Sequence, residues 1–200
     1  MFAARIVYPL NVLGPGNRIG LWLAGCERAC PGCANPELWP FRESTRISTD
    51  KLWQLLEKAS PTPDGYTITG GEPFLQADEL LELVRLMRSK SQDIIIYSGF
   101  TREELMERDT AKEILNNIAV LIDGPYLNER PRAFLRGSDN QRIHILDNNF
   151  KDKYEEYIKT GVNQIQNFTI GQSVISAGIH RPNFSEDLQA RLAGKGLEKI

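Results

Sequence analysis

Two hundred residues, 41% hydrophobic and 25% charged, fit one globular domain able to bury its own core. A formal net charge of −2 gives no electrostatic reason to expect nucleic-acid or acidic-membrane binding, and no window approaches the ~20 apolar residues that span a bilayer. The opening MFAARIVYPL lacks a signal-peptide pattern, and three cysteines make a poor disulfide framework, so a reducing cytoplasm is the expected compartment.

Short apolar runs alternate with helical patterns along the chain. Residues 19–23 read as a strand running straight into Gly25 and Cys26. Residues 49–59 place Leu52, Leu55, Leu56 and Ala59 at helix spacing, with Thr49 or Asp50 as the cap. Residues 61–65 read as a turn and 66–69 as a strand ending in Gly70-Gly71. Leu80, Leu83, Val84 and Met87 define a helix over 76–89. Ile94-Ile95-Ile96 suits a strand buried on both faces, within 93–97. A helix over 101–116, broken near Asp109-Thr110, precedes a strand at 118–122. Residues 125–142 are irregular and rich in Arg; 142–146 is a short strand, 151–159 a helix, 168–176 strand-like and 186–192 a last helix. Alternating strands and helices predict an α/β fold with a mainly parallel sheet. Function in such folds gathers at the carboxyl ends of strands. Cys26, Gly70-Gly71-Glu72, Ser98-Gly99 and Asp123-Gly124 all sit there.

All three cysteines, Cys26, Cys30 and Cys33, lie in one eight-residue window with the spacing C-x3-C-x2-C. Gly25 permits a sharp turn off the strand, and Pro31-Gly32 keep the window from regular helix. Soft thiolates favour iron–sulfur, zinc or copper(I). Structural zinc wants four ligands, and the only histidines, His144 and His180, are remote in sequence and read as ordinary side chains. Three thiolates on a 4Fe-4S cluster leave one iron open. The helix charges near 102–109 read as a solvated face, and Trp22, Trp39 and Trp53 as core.

The cysteine spacing resembles the signature of the radical S-adenosylmethionine (SAM) superfamily. Gly14-Pro15-Gly16-Asn17-Arg18 looks like the G-P-G-x-R lead-in of its glycyl-radical activating enzymes. Cys30-Pro31-Gly32-Cys33, followed by Asn35 and Trp39, is similar to the branch that activates anaerobic (class III) ribonucleotide reductases. Thr69-Gly70-Gly71-Glu72-Pro73 matches the GGE-type motif, and Tyr97-Ser98-Gly99-Phe100 the aromatic-Thr-Gly-Tyr element. Asp123-Gly124-Pro125-Tyr126 and the run from Arg136 to Ile143 match the branch's D-G-P and R-G-S-x-N-Q-R-I segments. The resemblance covers about residues 5–146. Residues 147–200 match nothing and are expected to complete or cover the barrel.

The resemblance implies a partial (β/α)6 TIM-like barrel, a single radical SAM domain over residues 1–200. Cys26, Cys30 and Cys33 would hold a 4Fe-4S cluster whose open iron binds SAM, and one electron would yield a 5′-deoxyadenosyl radical. Gly70, Gly71, Glu72 and Pro73 would bind the SAM ammonium, with Ser98 and Gly99 on its carboxylate or sugar. Asp123 would order a polar group or a cation, or simply form a turn. Arg136, Ser138, Asn140, Gln141 and Arg142 would contact SAM, clamp a partner's backbone or make a solvated loop. The implied partners are a glycyl-radical enzyme, anaerobic ribonucleotide reductase foremost, and a flavodoxin- or ferredoxin-type electron donor. Two other readings stay open: a stand-alone radical SAM enzyme acting on a small molecule, nucleoside or peptide, with residues 168–171 and 178–182 completing the barrel and closing over it, and a non-catalytic metal-binding module.

Overall fold

Along β2 (Arg18–Leu23), Ile19, Leu21 and Leu23 alternate with Arg18, Gly20 and Trp22, and every residue is buried. Period-two alternation with nothing exposed means a layer packed on each side. The computed structural model describes residues 1–170, 173–181, 184, 190, 191, 198 and 199, and shows both layers. Six strands lie in chain order: β1 (Ala3–Leu10), β2, β3 (Gly65–Gly70), β4 (Ile94–Tyr97), β5 (Val120–Asp123) and β6 (Arg142–Ile145). The pairings from β2 to β5 are parallel; β1 and β6 run antiparallel at the two edges. The sheet is therefore mixed but mainly parallel.

One face carries α1 (Thr49–Ala59), α2 (Ala77–Arg88) and α4 (Asp109–Leu115). Leu52 and Leu56, Leu80, Leu83, Val84 and Met87, and Ala111 and Ile114 pack there on Ile19, Leu21, Ile68, Ile96 and Leu121. The opposite face carries α5 (Lys151–Thr160), whose Tyr154 packs with Ile95, Val120 and Ile122. It also carries a hairpin of β7 (Ile165–Ile170) and β8 (Ser173–Gly178), joined by β9 (Glu198–Lys199) into a second sheet. Ile175 and Ala177 of β8 are buried against Val7, Leu10, Leu13 and Trp22.

Several boundaries differ from expectation, each for a local reason. Strand β1 escapes the alternation test because its register slips between Ala3 and Arg5 and again between Val7 and Leu10; its Pro9 is tolerated at a sheet edge. Ser48, rather than Thr49 or Asp50, caps α1 by accepting from Lys51 N–H. The helix expected over 101–116 does break, into α3 (Arg102–Leu105) and α4, and Thr101 and Glu104 close a reciprocal capping box ahead of α3. The single strand expected over 168–176 falls on two strands, β7 and β8, which pair antiparallel with Phe168 opposite Ile175. The helix expected over 186–192 lies outside the described residues, save 190 and 191.

The Gly14–Arg18 lead-in works at the amino ends of the strands. Arg18 is fully buried. Its Nη1 donates to Asp93 Oδ1 (3.0 Å) and Pro15 O (3.2 Å), its Nη2 to Tyr66 O (2.6 Å) and Asp93 O (2.8 Å), and its Nε to Thr67 Oγ1 (2.8 Å). Lys153 Nζ (2.6 Å) and the Tyr154 hydroxyl complete the shell of Asp93. All five guanidinium donors are satisfied, which fastens β2, β3, β4 and α5 together at the end opposite the cysteines.

Candidate active site at the cysteine loop

Leaving β2, the chain turns at Gly25, whose φ of +95° lies in the left-handed region; the Phe41 ring packs where a side chain would stand. Gly25 N–H donates to Leu38 O and Cys26 N–H to Trp39 O, both 2.8 Å, so residues 25–39 form a closed loop. A turn from Cys33 N–H to Cys30 O (3.1 Å) folds its tip, with Gly32 at φ +69°. The three thiols are half-buried. Burial pushes the Cys26 thiol up, opposed by the N–H groups of Arg28 and Ala29. Burial likewise raises Cys33, opposed by Asn35 N–H and the Trp39 indole. Donors aimed at sulfur are the surroundings a cluster thiolate uses. Trp39, expected in the core, thus acts at the loop, while Trp22 is buried and Trp53 packs on the helical layer. Among the described residues, no three His, Cys, Asp or Glu side chains are drawn into one ligating group.

Cys26, Cys30 and Cys33 all face a cavity of about 500 Å³ on the sheet side away from α1 and α2. Gly70, Gly71, Glu72, Ser98 and Gly99 line it as well. The strand ends are stitched to one another: Gly71 N–H donates to Leu23 O (2.7 Å) and Glu72 N–H to Gly25 O (2.8 Å). A methyl on Gly71 would run into the Gly25 carbonyl. Glu72 is 1% exposed. Its Oε1 accepts from Ser98 Oγ (2.9 Å) and Phe74 N–H (3.1 Å), and its Oε2 from Gly99 N–H (2.7 Å). Burial raises this carboxyl, partly offset by those three bonds and by the Arg28 charge. Pro73 is buried at the start of the following 3₁₀ turn and does not line the cavity.

Like Pro73, the expected site residues Asp123, Arg136, Ser138, Asn140 and Arg142 stand away from the cavity. Asp123 is buried, away from the cavity. Burial raises its carboxyl, but Arg142, Arg102 N–H and His144 outweigh this and hold it below the usual range. Arg142 donates from Nε to Oδ1 (3.1 Å) and from Nη2 to Oδ2 (2.6 Å). Ser138 Oγ accepts from Leu127 N–H (3.2 Å), Asn140 Nδ2 donates to Pro125 O (2.8 Å), and Arg136 Nη1 to Gln141 O (3.1 Å). These three lock the loop after β5 from within. Its cavity-facing members are Tyr126, Asn128, Arg132, Gly137 and Gln141.

Arg28, Arg132, Ser176 and Phe184 were not foreseen, and only Arg28 carried a local signal, its place inside the cysteine motif. The Arg28 guanidinium stands 5.0 Å over the Phe100 ring, and its stem crosses Gly99, leaving no room there for a side chain. His180, read as ordinary, also faces the cavity, as do residues 178–181 generally; Pro182 of that segment lies outside the described residues.

A loop of three thiols with N–H donors trained on two of them, opening on a cavity at strand ends, fits a resident iron–sulfur cluster. The sequence model of the 4Fe-4S single cluster domain family matches residues 12–144, so the class is that of single-cluster iron–sulfur proteins. The anaerobic ribonucleoside-triphosphate reductase-activating protein of Escherichia coli (strain K12) is 30% identical over 149 residues, 70% of this chain and 96% of that protein. Those of Vibrio cholerae serotype O1 (147 residues) and Enterobacteria phage T4 (144 residues) are 33% identical over 68% of this chain, covering 94% and 90% of their own lengths. The chain belongs to this family of anaerobic ribonucleoside-triphosphate reductase-activating proteins. About 30% of it lies outside those alignments, and the family match ends before α5.

Proposed function

We propose that the protein is a radical SAM activase that places a glycyl radical on an anaerobic ribonucleoside-triphosphate reductase. The observation that carries this reading is the meeting of the C-x3-C-x2-C loop with the Gly70–Glu72 and Ser98–Gly99 strand ends in one cavity. The monotonic strand order, with α1, α2 and α4 on one face, supports a partial (β/α) barrel in a single domain, because a doubly wound sheet reverses its order and covers both faces with crossovers.

Cys26, Cys30 and Cys33 would hold the 4Fe-4S cluster. When bound, cluster and SAM supply the hard chemistry: one electron from a flavodoxin- or ferredoxin-type donor splits the sulfonium into methionine and a 5′-deoxyadenosyl radical. Gly70 and Gly71 let the end of β3 close on the backbone of Leu23 and Gly25, where a side chain has no room, and so hold it beside the cysteine loop. The Glu72 carboxylate uses three of its roughly four acceptor positions on protein donors, which holds it rigid with one left for a cationic amino group. Leu13, Trp22 and Ile179 supply apolar wall, which excludes water from a reactive intermediate. With cluster and SAM bound, the chemistry supplied would be removal of a hydrogen atom from the glycine Cα, which would give 5′-deoxyadenosine and leave the unpaired electron on the glycine.

The test is anaerobic reconstitution with iron and sulfide, reduction, addition of SAM and measurement of 5′-deoxyadenosine, with Cys30→Ala as control. Product from the native chain and none from the variant is the expected result. Tightly bound zinc, no cluster spectrum and no product would overturn the reading.

A further inference from the structure

Two opposite charges meet over Gly99 without pairing. A methyl placed on Gly99 would lie 2.6 Å from Arg28 Nε and 3.3 Å from Glu72 Oε2, so those two atoms stand within about 6 Å of each other. The charges feel one another, since Arg28 opposes the rise that burial imposes on the Glu72 carboxyl. No hydrogen bond or ion pair joins them among the described residues. Both side chains line the cavity. A cation and an anion held apart at this spacing leave a gap that a molecule carrying both charges closes.

The donors of the neighbouring groups are spent. Ser98 Oγ donates to Glu72 Oε1 (2.9 Å) and accepts from Phe100 N–H (3.0 Å), and Gly99 N–H donates to Glu72 Oε2 (2.7 Å). Toward the far wall, where β8 and His180 stand, Arg132 gives Nη2 to the Tyr126 hydroxyl (2.6 Å), Nη1 to Arg130 O (3.2 Å) and Nε to His180 O (3.4 Å). Arg28 differs. Its guanidinium donates to no acceptor among the described residues. It is held instead over the Phe100 ring at 5.0 Å, a ring that also carries the Arg108 guanidinium at 4.2 Å. That contact steadies the charge and uses no oxygen acceptor, so the N–H fork is left for a ligand. The other carboxylate that feels Arg28 is Glu104, and its Oε2 is committed to Thr101 N–H (2.6 Å) and Thr101 Oγ1 (2.9 Å).

We propose that Arg28 and Glu72 form a receptor for an α-amino-acid head group, Arg28 taking the carboxylate and Glu72 the ammonium, and that Arg28 selects SAM by its carboxylate. This deepens the reading above and rests on it for the identity of the ligand. The fork of a guanidinium matches the two oxygens of a carboxylate. The ammonium and carboxylate of an α-amino acid leave a single carbon, so one head group reaches both side chains. A phosphate offers nothing for Glu72, and an amine alone offers nothing for Arg28. Arg28 is also tied to the cysteine loop by its own backbone N–H, which is aimed at the Cys26 thiol, so the head group would be held beside a cluster ligand.

The experiment uses the full-length reconstituted protein with its cluster oxidised, so that nothing turns over. Equilibrium dialysis gives the dissociation constants of SAM and of decarboxylated SAM, which keeps the amino group, the sulfonium and the adenosine. Arg28→Met, whose stem still crosses Gly99, is expected to weaken SAM about ten-fold or more, as loss of a charged hydrogen bond implies, and to leave decarboxylated SAM within about two-fold. A general defect in fold or cluster weakens both ligands together and leaves their ratio alone; iron per chain and the cluster spectrum identify it. Should Arg28→Met lose its cluster, Arg28→Gln reads the same ratio. A ratio within about two-fold of the native one in a cluster-bearing variant would overturn the proposal and leave the activase reading standing. A native protein that holds its cluster and binds neither ligand would overturn the radical SAM reading, and this inference with it.

Discussion

Replacing Glu72 by Gln keeps the shape of the side chain and changes only its polarity. The carboxylate accepts from Ser98 Oγ, Phe74 N–H and Gly99 N–H. A Gln whose carbonyl takes the Oε1 position keeps the first two and turns an amide N–H₂ toward Gly99 N–H, donor against donor. A buried donor left unpaired costs about 1–3 kcal/mol. Relief of a buried charge works the other way, since burial already raises the Glu72 carboxyl. The net expectation is a loss of about 1–2 kcal/mol, or ~2–8 °C in Tm for a domain of this size. Urea and thermal unfolding of the cluster-free protein, followed by tryptophan fluorescence, measure it without interference from bound cofactors. The pH dependence has a definite sign. A folded-state pKa above the unfolded one means the proton is held more tightly in the fold. The native chain therefore gains on Glu72→Gln as pH falls through the raised pKa, fully so below the unfolded value of about 4.3. A variant as stable as the native chain, or a gap that narrows in acid, would refute the view that Glu72 ties the strand ends together.

Arg18→Met should cost about 3–5 kcal/mol, because Asp93 stays buried with its main partner gone; Lys153→Ala, removing a side chain that is 41% exposed, should cost about 1 kcal/mol or less, and urea midpoints compare the two. Gly71→Ala pushes on the Gly25 carbonyl beside Cys26, so iron bound per chain after reconstitution should fall along with stability. Asp123 is held below the usual carboxylate range, so its stabilisation is full above about pH 4 and is lost as pH falls through its folded pKa. Arg142→Ala removes its strongest partner, and acid unfolding followed by circular dichroism should then begin at a higher pH than in the native chain.

What the sequence revealed about this molecule follows the range of the interactions involved. The cysteine loop was readable because its ligands are neighbours in sequence and its Gly and Pro residues mark the turns. The strands β2 to β5 were readable because burial on both faces leaves nearly unbroken apolar runs such as Ile94-Ile95-Ile96. Asp123 shows where such reading stops. A carboxylate at a strand end invites a ligand, yet its partner is Arg142, 19 residues away and brought alongside by the antiparallel pairing of β5 with β6. Ser138 and Asn140 sit in a motif dense with polar groups, and those groups turn inward to satisfy the loop's own backbone. The far wall was the least readable part. Ser176, His180 and Phe184 acquire their setting only when Ile175 and Ala177 bury against β1 and β2, a contact with no local signature.

The most direct test of the account is electron paramagnetic resonance on the reductase after anaerobic incubation with the reconstituted protein, SAM and reductant, alongside the Cys30→Ala variant. A stable glycyl-radical signal that requires the native cysteine loop is the predicted result. Clean SAM cleavage with no signal on the reductase would contradict the account at its centre and point the radical toward a different substrate.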